Sequence, residues 1–175
     1  MLTTNGLNRP EREGKWARAG EPAALTGAFS CMDVPTYILN HKAVVEFFGR
    51  WPSFHDAEVP AYEAPRPGTQ ALSFTLHTWL MTDEVDAKGY FVLRNHALVS
   101  FRFGGLHNVK MDSFASGNIL FGLEFFPSRD LSSIRVELDS VMDMSGSFSA
   151  RSGEIVSIMP YTSDGKEDPT IKGLK

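Results

Sequence analysis

The chain has 175 residues, 42% of them hydrophobic and 22% charged, and a formal net charge of −4. That length suits one domain and is short for two, and the composition is that of a globular protein able to bury a core. Residues 1–50 carry six Lys/Arg and five Asp/Glu, and the remainder carries eleven and sixteen, so the body is acidic: a nucleic-acid backbone is not drawn to it, whereas a basic protein partner is.

Residues 1–30 show no sustained periodicity and read as an extended or partly disordered arm. Trp16 stands out in it, either free or docked on the body. Met1 to Gly14 are polar and contain no apolar run, so no secretory leader is expected. No stretch approaches the roughly 20 apolar residues of a spanning helix, so no membrane partner is expected either. The single cysteine, Cys31, forms neither an internal disulfide nor a zinc set by itself, which fits a reducing cytoplasm. One domain is expected over residues 31–162, followed by a loose Gly/Asp/Lys-rich tail over 163–175.

Asn40 is a plausible helix N-cap. Val44, Val45, Phe47 and Phe48 then recur at helical spacing, and Gly49 and Pro52 end the pattern, so residues 41–49 read as one short helix. Beyond residue 57 the pattern alternates. Leu72, Phe74, Leu76 and Leu80 share one face, with Ser73, Thr75, His77 and Trp79 on the other. Val99, Phe101 and Phe103 alternate with Ser100 and Arg102. Ile119, Phe121, Leu123 and Phe125 are expected inward with Glu124 outward; Ile134, Val136 and Leu138 inward with Arg135, Glu137 and Asp139 outward. A last strand covers about 154–159. Asp86-Ala87-Lys88-Gly89 and Ser128-Arg129-Asp130 suit hairpin turns, and Gly104-Gly105 a turn or bulge. Thirteen Phe and three Trp add to the β tendency. The predicted fold is therefore mainly β (α+β): an antiparallel sheet or two-layer β-sandwich with one short helix packed on it.

Candidate chemistry is sparse. Ser53, His55 and Asp56 are close in sequence, but strand alternation from residue 55 would send His55 and Asp56 to opposite faces, and no nucleophile elbow is present. Turn chemistry, with Ser53 or Asp56 accepting main-chain N–H groups, is the bland reading. The five histidines, His41, His55, His77, His96 and His107, form no local pair at metal-ligand spacing. A site assembled across strands with Asp56 or Asp112 is the alternative. Glu58, Glu63 and Glu124 show no spacing that marks paired catalytic carboxylates. Arg102, Glu124, Arg135 and Glu137 read as cross-strand ion pairs. Asp83-Glu84-Val85-Asp86 is an acidic run at a predicted hairpin tip: either a solvated loop, or with His77 and Trp79 a patch facing a basic partner.

Three segments in order resemble one known family. They are Phe48 through Val59, containing Trp51-Pro52-Ser53-Phe54-His55-Asp56-Ala57-Glu58; Leu98 through Leu120; and Ser147 to Ala150 with Ile155 to Ile158. The chain resembles the immunity protein 50 family of bacterial polymorphic toxin systems over roughly residues 40–160. The resemblance implies a cognate toxin as partner and carries over no catalytic residues; no cofactor and no metal are expected. Trp51, Pro52, Ser53, Phe54, His55, Asp56 and Glu58 then mark the fold, and His77, Trp79, Asp83, Glu84 and Asp86 are the candidate partner-binding residues. Two other readings stay open: a ligand-binding or hydrolytic pocket near His55 and Asp56, and an interaction or regulatory domain unrelated to toxins.

Overall fold

The eight-residue helix α1, His41–Phe48, is framed by two residues in the left-handed region, Asn40 (φ 63°) and Gly49 (φ 77°). Val44 and Phe48, one turn apart, are its buried residues. The computed structural model describes residues 34–65, 68–112, 118–141 and 144–162. The expected arm and tail, with Trp16 and Cys31, lie outside the described residues. All described residues belong to one compact unit, Met32–Lys175.

Eight strands follow among the described residues: β1 Glu58–Glu63, β2 Ala71–Val85, β3 Phe91–Gly104, β4 His107–Met111, β5 Leu120–Pro127, β6 Ile134–Ser140, β7 Gly146–Ala150 and β8 Ser152–Pro160. They form two four-stranded sheets, β1-β2-β3-β8 and β4-β7-β6-β5. Every pairing is antiparallel. The expected β-rich fold is what the chain adopts. The alternation places Leu72, Phe74 and Leu76 in the core with Val99, Phe101 and Phe103, and Ile134, Val136 and Leu138 meet them from the second sheet. The centre is aromatic: Phe103 lies edge-on to Phe148 at 5.1 Å, and Phe74 packs on Phe101 at 5.2 Å between ring centroids.

Three local expectations are corrected. In β5 it is Leu120 that is fully buried, while Ile119 and Phe121 are exposed. A register shift between Leu120 and Gly122 adds a residue there and inverts the phase upstream of Leu123. Asn40 makes no side-chain capping bond to α1. Its amide donates instead to the Ile155 carbonyl at 3.0 Å, and Leu39 exchanges main-chain bonds with Gly153 and Ile155, which ties the helix start to β8. Finally, Arg135 pairs with Glu137 at 2.6 Å along its own strand, and Glu124 stands opposite Glu137 with like charge. Residues two apart on a strand share a face, which is why the along-strand pair forms.

Candidate functional site

The Trp51–Glu58 segment is built into the core. Trp51 and Phe54 are buried, with their rings edge-on at 5.6 Å. Phe54 also lies edge-on to Phe101 at 5.5 Å, and Trp51 to Phe125 at 6.1 Å. Their indole and phenyl rings thus touch both sheets. The chain reaches this position through two left-handed residues, Phe54 (φ 56°) and Asp56 (φ 62°). Each costs about 1–2 kcal/mol relative to ordinary backbone. Main-chain bonds offset that cost: Asp56 N donates to Leu120 O at 2.9 Å, Leu120 N to Ala57 O at 2.8 Å, and Val59 N to Asn118 O at 2.9 Å. The motif therefore stitches the start of β1 to the start of β5, joining the sheets at one corner.

The expectation that His55 and Asp56 point apart is wrong. Both precede β1 and lie in the turn, so strand alternation does not govern them. With Asp56 left-handed, its Oδ2 sits 3.0 Å from His55 Nδ1, and the two side chains are 50% and 47% exposed. The imidazole also packs edge-on against Phe121 at 5.1 Å. Ser53 Oγ accepts the main-chain N–H of His55 at 3.4 Å, as the turn reading expects. The arrangement is a half-exposed His–Asp contact over a turn, with the hydroxyl engaged by backbone rather than by the ring.

A denser cluster lies on the outer face of the first sheet. Glu58 is the register partner of His77. Its carboxylate meets His77 Nδ1 at 3.1 Å, and His77 Nε2 meets His96 Nδ1 at 3.2 Å. The His77 ring lies 5.2 Å from Trp79 and 4.8 Å from Tyr161, and Trp79 lies 5.5 Å from His96. Three strands and the residue that follows β8 supply these groups; Tyr161 donates its main-chain N–H to His96 O at 2.8 Å. Burial, then the neighbouring His77, hold the His96 imidazole below its usual range, while Glu58 pulls it upward. The His96 ring is thus harder to protonate than a free imidazole. Each ring nitrogen of His77 already has a partner. Among the described residues no group of three or more His, Cys, Asp or Glu is placed to hold a metal ion.

The acidic run sits at the end of the same hairpin and divides into three roles. Asp86 Oδ1 accepts the N–H groups of Lys88 at 2.8 Å and Tyr90 at 3.0 Å, which holds the turn. Glu84 takes both oxygens to one Arg94 nitrogen, at 2.9 and 2.7 Å. Asp83 is exposed near the tip. The residues missed from sequence are His96 and Tyr161. Extending the alternation of Leu98, Ser100 and Arg102 by one more step would have found His96. A register shift between Ser100 and Phe101 against β8 hides the phase of Tyr161.

Two grooves lie elsewhere. One of about 750 Å³ crosses the second sheet, lined by Lys110, Asp112, Glu124, Arg135, Glu137 and Asp139 among others. One of about 580 Å³ lies on the first sheet over Ser73, Thr75, Ser100 and Arg102. Neither is lined by His55 or Asp56. No helix among the described residues is long and apolar enough to cross a membrane.

Residues 40–161 match the family model described as immunity protein 50. No curated protein and no solved structure matches the chain.

Proposed function

The chain belongs to the immunity protein 50 family, and on that premise we propose that it binds a cognate bacterial toxin domain and neutralises it by occlusion, without catalysis. The family name implies an immunity protein; the mode of action is our reading. The observation that carries it is the Glu58–His77–His96–Trp79–Tyr161 cluster, which places aromatic rings on an outer sheet face above a rigid sandwich. Trp and Tyr seated on rigid elements are the common anchors of protein interfaces, because they offer large area at small entropy cost. Occlusion needs roughly 600–1,000 Å² from each partner.

The acidic balance of the body favours a basic partner through encounter rate and orientation. The same reading puts the encounter in the cytoplasm, where a toxin made in the same cell is first met. The test is co-expression with the product of the adjacent open reading frame, scored for growth and for co-purification. We expect rescue from growth arrest and a stable complex. Growth arrest that persists, with no complex, would remove this function.

A further inference from the structure

β2 and β3 continue past their neighbours. The β1 partners on β2 stop at His77, and the β8 partners on β3 stop at Ala97. Residues 78–85 and 91–95 therefore form a two-stranded ribbon beside which no third strand lies among the described residues; Tyr161 bonds its base at His96. Such ribbons are marginal in water when alone. This one is held by the Asp86 turn, by the Glu84–Arg94 pair, and by Thr82 Oγ1 donating to Val92 O at 2.8 Å. At its base Asn95, left-handed at φ 52°, donates its amide to Phe47 O at 3.3 Å. The ribbon is thus a stiffened arm rather than a loose loop.

Its surface carries large apolar side chains among the charges. Met81, Val85, Tyr90, Phe91 and Leu93 are all large and exposed, from 36% at Leu93 to 69% at Tyr90. Register sets Met81 opposite Leu93 and Val85 opposite Phe91, so each pair shares a face. Met81 lies two residues beyond Trp79, which continues the outer-face cluster outward along the arm. Single exposed apolar residues are normal, but five large ones on one short ribbon are a concentration of the kind that marks interaction sites. Charges usually blunt an open edge; here Glu84 and Arg94 are spent on one another.

The rim chooses the occupant. Glu58, Asp83, Glu84 and Asp86 stand against Lys88 and Arg94, an excess of two formal negative charges among these six residues. A second copy would bring two negative rims together, whereas a partner with a basic rim gains attraction. We propose that this ribbon is the toxin-contacting arm, with Trp79, Met81, Leu93 and Phe91 seated in an apolar recess of the partner whose edge carries Lys or Arg facing Asp83 and Asp86. This rests on the immunity reading above and names the surface that performs it.

The test uses the full chain and the adjacent gene's product, with affinity read by titration and folding by a thermal melt. Met81→Asp with Leu93→Asp is expected to weaken the complex roughly 30-fold or more, the size of a hot-spot loss, with an unchanged melt. If that double variant melts early, Tyr90→Ala with Phe91→Ala at the tip is read in its place, with the same expectation. Glu137→Lys, on the far sheet, is expected to leave affinity unchanged. If the wild type binds and a folded arm variant binds equally well, the arm assignment falls and the immunity reading stands. If the wild type neither binds nor protects, both fall. A dimer of the chain alone that Met81→Asp dissociates would give the patch to a second copy and overturn the proposal.

Discussion

Replacing Phe54 by Ala tests whether the Trp51–Glu58 motif holds the sandwich together. The side chain is 1% exposed and meets Trp51 and Phe101 edge-on at 5.6 and 5.5 Å. Truncating a buried Phe costs about 3–5 kcal/mol through lost transfer energy and the cavity left behind. With a urea m-value near 2 kcal/mol per M, a loss of about 4 kcal/mol lowers the midpoint by about 2 M. The backbone supplies a second, independent sign. At ordinary positions Gly is less stable than Ala by about 0.5–1 kcal/mol, but at a φ of 56° the order inverts, because Ala carries the left-handed cost of about 1–2 kcal/mol. Phe54→Gly should therefore unfold at a higher urea concentration than Phe54→Ala. Ser53→Ala and His55→Ala, at exposed positions, should shift stability by about 0.5 kcal/mol or less. Equilibrium urea denaturation followed by tryptophan fluorescence measures all four. A midpoint shift below about 0.5 M for Phe54→Ala at constant m, or Gly less stable than Ala, refutes the structural role of the motif.

Other consequences follow from single contacts. His96 is held below its usual pKa of 6.5 by burial first and by His77 second, so the unfolded chain takes up this proton before the folded one does. Stability should fall as pH drops below about 6.5 and level off beneath the folded value, and His96→Gln should flatten that slope in urea melts between pH 7.5 and 5. A Cβ added at Gly146 would collide with the Lys110 carbonyl oxygen and lie 2.8 Å from Met111 Cα; Gly146→Ala should lower stability by about 1–3 kcal/mol, and an unchanged melt would contradict the close β4–β7 approach. Glu124 faces Glu137 across β5 and β6, so Glu124→Lys should stabilise the fold by a few tenths to about 1 kcal/mol, and a lower midpoint would argue against that register.

Much of the fold was legible because strand alternation is a local signal. Phe74, Phe101, Val136 and their neighbours declared their faces two residues at a time. What failed was phase across irregularities. Leu120 replaced Ile119 and Phe121 in the core because an extra residue sits between Leu120 and Gly122, and nothing in the composition of that stretch announces it. His55 and Asp56 meet because two left-handed residues bend the turn, a conformation that Phe at position 54 does not advertise. His77 and Trp79 were correctly placed on the wetter face. Their union with Glu58, His96 and Tyr161 depends on the registers of three strands and on where the chain leaves β8, which no local pattern contains. The acidic run read as one patch, yet the turn and Arg94 each take one of its carboxylates.

Neutralisation by occlusion also has a signature in stoichiometry. Fixed amounts of the adjacent toxin, assayed for its own activity, would be titrated with increasing amounts of the chain. Occlusion predicts that inhibition rises in proportion to the chain added, is complete near one equivalent, and does not deepen with time. Complete inactivation at a small fraction of an equivalent, progressing with incubation, would contradict the account and make the protein a catalyst.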